Sequence, residues 1–290
     1  MGKTVIVPGS CGELIQGYIK GSNQLISCPI DVYSLVNVKL TDTKKINIKK
    51  SKVKSHQALK LLLKYYDIED LGLEIKFNSN LLTSKGMGSS TADISALLIA
   101  VMDLLNKEID LDLIKKIAVK VEPSDSTFLE GLVLFDYLNG DYIEKLGKIK
   151  PIDLIVFDYG GKVETKEFNK NKDLKKLGKK NQKKIKNAYQ LIKKGIKSND
   201  IQLIGKAATM SSLANQNILE KPKLEELIAQ LENKNGFLGL NTAHSGTIIG
   251  ILIKDKKFSA EIIKSIKINF PNLELLFQTK IINGGYKILN

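Results

Sequence analysis

The run Lys85-Gly86-Met87-Gly88-Ser89-Ser90-Thr91-Ala92 constrains this chain more than any other stretch. Two glycines and three hydroxyls lead directly into Ile94, Leu97, Leu98, Val101 and Leu105 on one face and Ala92, Ala96 and Ala100 on another. The helix predicted from Ser89 to about Asn106 is therefore apolar or small on both sides, the pattern of a buried helix. A glycine loop opening into such a helix offers unpaired amides and the positive end of the macrodipole, and it lets an anion come close to the backbone. The pattern predicts a phosphate cradle. A serine N-cap after a turn would explain Ser89 but not the two glycines and three hydroxyls together. No G-x-x-x-x-G-K-[ST] run occurs, and the third glycine of a dinucleotide fingerprint is missing.

Around this helix the periodicity alternates between strand and helix. Short apolar runs predict strands at Lys3–Val7, Gln24–Cys28, Tyr33–Leu40, Lys45–Ile48 and Gly72–Phe77, and helical spacing marks His56–Tyr66 and Leu111–Val121. Further strands are expected at Leu132–Tyr137, Asp153–Phe157, Gly236–Leu240, Gly246–Ile253 and Glu274–Thr279. Helices are expected at Asn181–Lys194, Ile201–Ala214, Leu224–Leu231 and Ala260–Ile266. The expected class is α+β, in two domains divided near residue 150, spanning 1–150 and 151–290.

Composition removes several functions. The longest apolar stretch, Ile94–Leu105, is interrupted by Asp103 and is shorter than the roughly 20 residues needed to span a bilayer. Met1–Pro8 lacks the order of a secretory signal, so a cytoplasmic protein is expected. Two cysteines, Cys11 and Cys28, could form one disulfide or two metal ligands, but a zinc site normally takes four ligands and the only histidines are His56 and His244, so no structural metal is expected. The formal net charge of +14 is concentrated: Lys162 to Lys197 holds fourteen lysines against Glu164, Glu167 and Asp173. No arginine occurs anywhere, which argues against sequence-specific nucleic-acid readout and for a solvated lysine face.

The loop Gly86-Met87-Gly88-Ser89-Ser90-Thr91-Ala92 resembles the G-L-G-S-S-A phosphate motif of the GHMP kinases. Val7-Pro8-Gly9-Ser10-Cys11-Gly12-Glu13-Leu14-Ile15-Gln16-Gly17 is similar to that family's first motif, and Ala243-His244-Ser245-Gly246-Thr247 stands in the place of its third. Cys28-Pro29-Ile30-Asp31-Val32-Tyr33-Ser34 and Glu122-Pro123-Ser124-Asp125-Ser126-Thr127 look like the L-threonine kinase branch, which makes O-phospho-L-threonine for the cobalamin linker. Leu82 replaces a proline frequent in relatives, Ile15–Gly17 replaces the usual Gly-Glu-His, and His244-Ser245 replaces Gly and Ala. These departures bear on the acceptor rather than on ATP.

The resemblance implies an amino-terminal domain like ribosomal S5 domain 2, a ferredoxin-like carboxy-terminal domain, and ATP with L-threonine in the cleft between them. It implies that Ser84, Lys85, Gly86, Met87, Gly88, Ser89, Ser90 and Thr91 bind the nucleotide, and that Ser90 and Glu122 hold Mg2+. Asp125 would accept or orient the hydroxyl proton, while Asp31, Tyr33, His244 and Ser245 would meet the substrate. Local capping around Pro123 also accounts for Glu122 and Asp125. Another small alcohol, such as homoserine, stays open as acceptor. A basic nucleic-acid-binding module on Lys162–Lys197 is the reading of a different class.

Overall fold

A computed structural model describes residues 2–141, 143–161 and 174–289. The chain opens with two long antiparallel strands, β1 (Gly2–Ile19) and β2 (Ser22–Leu40), joined by a tight turn in which Lys20 and Gly21 both have positive φ. The sequence pattern marked only fragments of this hairpin. Residues 8–17 of β1 contain proline, glycines and serine, and three register shifts fall between Pro8 and Ile15. Such bulges break the period-2 alternation by which a strand is read.

Next come β3 (Ile46–Asn47), α1 (Val53–Tyr65), β4 (Leu73–Ser79), α2 (Ser89–Leu104) and α3 (Leu111–Val121). Then follow β5 (Leu132–Asp136), β6 (Ile143–Gly147) and β7 (Ile152–Asp158), with the expected division near residue 150 in the turn between β6 and β7. The second half holds α4 (Leu174–Ser198), α5 (Ile201–Ala214), α6 (Leu224–Glu232), β8 (Phe237–Thr242), β9 (Ile248–Ile253), α7 (Ser259–Asn269), β10 (Glu274–Ile281) and β11 (Lys287–Leu289). Part of the basic segment, residues 162–173, lies outside the described residues; the rest is in α4.

Among the described residues the strands form one sheet in the order β11-β1-β8-β9-β7-β10-β2-β4-β3, and β1 also pairs with β2. Strands from both halves of the chain are thus hydrogen-bonded neighbours. Helix α2 lies against β1 and β2, and thirteen of its sixteen residues are buried. Strands β7 and β9 are buried on both faces. Leu154, Val156, Ile248 and Leu252 join the main core, while Ile155, Phe157, Ile249, Ile251 and Ile253 pack beneath α6 and α7 with Leu227, Leu231, Ile262 and Ile266. Side chains alternate across a strand, so one strand serves two cores.

Candidate active site

The phosphate loop is fixed by backbone bonds to both other motifs. Ser10 N donates to Met87 O (2.9 Å) and Gly12 N to Gly86 O (2.9 Å), while Thr247 N and Ile248 N both donate to Lys85 O at 3.0 and 3.2 Å. The packing leaves no room for side chains. A Cβ on Gly86 would lie 2.3 Å from Ala243 Cβ, and one on Gly246 would lie 2.2 Å from Lys85 O. Gly88, the N-cap of α2, has φ +60, a left-handed conformation that costs an L-residue about 1–2 kcal/mol. The glycines therefore bring three distant segments to one point.

That point borders a cavity of about 790 Å³. Ser84, Gly86 to Thr91, Glu122, Asp125 and Ser245 all line it, as do Glu13 and the start of α1 from Lys52 to Ser55. Two helix N-termini thus face one space, an arrangement suited to a polyanion. Ser89 and Ser90 are half-exposed at the start of α2. Thr91 is buried, and its Oγ1 accepts Asp125 N (3.1 Å), so this hydroxyl positions the aspartate backbone.

Asp125 Oδ1 accepts Ser27 Oγ (3.0 Å). Burial pushes its carboxyl above the ordinary range and the Glu122 charge adds to this, opposed by the hydroxyls of Ser27 and Ser10. Glu13 is buried, and its Oε2 accepts His244 N at 2.9 Å. Its carboxyl is also raised, first by burial and then by Asp125, against the His244 amide and Lys221. Each carboxylate makes the other harder to ionise.

Glu122 ends α3 and is buried, with Oε2 paired to Lys54 Nζ at 2.5 Å. Its Oε1 is enclosed and has no hydrogen-bond partner among the described residues. The orphaned carboxylate oxygen of Glu122 and the hydroxyl of Ser90, two residues that line one cavity, form a hard-oxygen donor set that suits Mg2+. Among the described residues no cluster of three or more His, Cys, Asp or Glu side chains can hold a metal. The ion's remaining positions would thus fall to phosphate oxygens and water.

Several expected residues have other places. Lys85 does not line the cavity: its Nζ pairs with Asp158 Oδ2 (2.5 Å), a buried carboxylate on β7, and donates to Gly161 O (2.9 Å). With a second acceptor in Gly161 O and a side chain only 20% exposed, this lysine ties the loop to β7. Asp31 lines a separate depression of about 230 Å³ with Asp153, Lys256 and Lys280, and Tyr33 lines neither space. The run of β2 carries both residues out of the site. His244 is buried, with Nδ1 2.9 Å from Gln16 Oε1; burial and the nearby Lys221 charge pull its pKa down to about 3, so it is a neutral structural ring. Cys11 and Cys28 are buried free thiols.

Sequence reading missed Glu13, Lys52, Lys54 and Asp93 as site residues. Asp93 directly follows the quoted loop motif and Glu13 lies within the first, but nothing in their spacing showed which way they face. Asp93 Oδ1 accepts Ser34 Oγ (2.5 Å), and Oδ2 pairs with Lys52 Nζ. Lys221, also missed, is buried with Nζ donating to Gly246 O (2.7 Å), and burial lowers its pKa to about 8.

Comparison with known proteins agrees with this geometry. The family model of the GHMP kinases N terminal domain matches residues 51–130, and that of the GHMP kinases C terminal domain matches 192–272. The L-threonine kinases of Salmonella typhimurium and Citrobacter freundii are each 30% identical over 97% of this chain, covering 94% and 98% of their own lengths. A homoserine kinase structure from Cytophaga hutchinsonii superposes with a TM-score of 0.74 at 19% identity, covering 99% of this chain and 97% of that one. Mevalonate kinase of L. major, solved with R-mevalonate, gives 0.72 at 16%, covering 97% and 96%. Fold and loop architecture define a kinase of small molecules. The chain belongs to the GHMP kinase family, on its L-threonine kinase branch.

Proposed function

We propose that this kinase transfers the γ-phosphoryl group of ATP to the hydroxyl of L-threonine, giving O-phospho-L-threonine and ADP. The observation that carries the proposal is the meeting of the Gly86–Thr91 loop, Glu122 and Asp125 around one cavity, in a chain aligned along nearly its whole length with L-threonine kinases.

Phosphoryl transfer asks the protein mainly for positioning and charge stabilisation. Loop amides at Gly86 to Thr91 and the starts of α1 and α2 receive the triphosphate. Ser90 and Glu122 would hold Mg2+, which when bound would neutralise phosphate charge. The threonine oxygen forms the new bond to phosphorus, the bond to the ADP oxygen breaks, and the hydroxyl proton passes to Asp125. A carboxyl raised by burial is well matched to a proton acceptor near neutral pH. Glu13 and Asp125 offer carboxyl oxygens to an amino-acid ammonium, whose charge would draw their raised pKa values back down; mevalonate brings no such cation. The product's use in the cobalamin linker, and a cytoplasmic site of action, belong to the same reading.

The test is ADP release with Mg-ATP against L-threonine, L-serine, L-homoserine and mevalonate, with Ser90→Ala and Asp125→Asn as controls. Selective turnover of threonine, lost in both variants, is expected. Turnover of another acceptor alone would refute the threonine assignment.

A further inference from the structure

Helix α1 breaks a rule of helix termini at the mouth of the cavity. Its N-cap is Lys52, which makes no side-chain cap, its second residue is Lys54, and its first turn carries no acid. Cations at a helix N-terminus oppose the macrodipole. Local rules are broken in this way mainly where function requires it. The cost is offset here by two carboxylates from other elements: Asp93 of α2 holds Lys52, and Glu122 at the end of α3 holds Lys54.

The two pairs differ. Asp93 has both oxygens occupied, by Ser34 and Lys52, and Lys52 also stands 5.0 Å over the Phe77 ring. That pair is a fixed part of the wall. Among the described residues Glu122 keeps one oxygen without a partner, and the Lys54 side chain lines the cavity, is 39% exposed and has a flexible four-carbon stem. Among the described residues the cation paired with Glu122 is therefore a half-exposed one, between a carboxylate fit for a divalent ion and a loop fit for phosphates.

We propose that Lys54 is an exchangeable counter-ion: it neutralises Glu122 in the nucleotide-free protein and passes to the phosphates of the bound nucleotide when that carboxylate is given over to a divalent cation. The idea rests on the kinase reading above. It makes Lys54 a phosphate-binding residue of the loaded site and a competitor for metal in the empty one. The two roles have opposite signs in binding, which a purely structural lysine would not show.

Mn2+ serves as the spectroscopic probe and a fluorescent N-methylanthraniloyl ADP as the nucleotide probe, on the full chain. In Lys54→Met, Mn2+ binding to the nucleotide-free protein, read by electron paramagnetic resonance, is expected to tighten by about fivefold or more, the usual lower end of site coupling. Nucleotide affinity at saturating Mn2+ is expected to weaken by about the same factor. Lys54→Arg, which keeps the charge, should return both toward wild type, and thermal melts confirm that each variant is folded. Equal or weaker Mn2+ binding in Lys54→Met, or undiminished nucleotide binding, overturns the proposal while leaving the kinase reading intact. A wild-type protein that binds neither probe overturns both.

Discussion

Replacing Gly88 with alanine separates the geometry of the site from the stability of the fold. At φ +60 the new Cβ would meet Asp125 Oδ2 and Ser10 Oγ, both at 2.8 Å, whereas ordinary contact begins near 3.4 Å. The obstruction is the end of two side chains, so the fold accommodates it by moving the carboxylate about half an ångström. Strain of about 1–2 kcal/mol for an L-residue in the left-handed region is the main cost in stability. At about 2–4 °C per kcal/mol for chains somewhat shorter than this one, melting should fall by only several degrees. Catalysis should suffer more, because a misplacement of about 1 Å costs about a hundredfold. A fall in kcat for threonine of about tenfold to a hundredfold is expected by coupled ADP release, with a cooperative melt retained. A folded variant with kcat within about twofold of wild type would refute the claim that Gly88 holds open the space around Asp125.

Lys85→Met strips the cation from buried Asp158 and should destabilise by about 3–5 kcal/mol in urea denaturation, with much of the loss recovered in the Lys85→Met, Asp158→Asn double variant. Glu13→Gln should raise KM for L-threonine more than it lowers kcat, because the change touches substrate charge rather than the reacting oxygen; an unchanged KM would remove Glu13 from acceptor binding. His244 stays neutral in the folded state down to a pKa of about 3 but takes a proton near 6.5 when unfolded. Below about pH 6.5 the unfolded chain binds the extra proton, so this residue alone lowers stability as pH falls, by up to about 1.4 kcal/mol per pH unit. Urea melts between pH 7 and 4 should show a shallower loss in His244→Gln than in wild type.

The phosphate loop was legible because its signal is local: glycines with positive φ, hydroxyls and a buried helix all lie within twenty residues. The helices were legible for the same reason, although α1 starts at Val53 rather than His56. The bulged half of β1 was not, since Pro8, Gly9, Gly12 and Gly17 look like a loop until β2 pairs with it. Nor was the role of Lys85 recoverable, because Asp158 stands 73 residues away and only the fold brings them together. Lys52 and Lys54 carried no signal in a chain of 45 basic residues, all of them lysine. What distinguishes them is the pair of carboxylates they face, which two other helices deliver. Asp31 and Tyr33 show the reverse case, a motif match that the strand carries away from the cavity bordered by the loop.

The pairing of Thr4 with Leu289 and of Ile6 with Lys287 makes the first and last strands of the chain neighbours. On a ribosome, β11 emerges long after β1, so the outer edge of β1 stays open until then. Glu13, whose strand partner Thr242 lies 229 residues downstream, waits nearly as long to be enclosed. Such long-range closure slows folding and leaves an apolar edge exposed to other chains in the meantime.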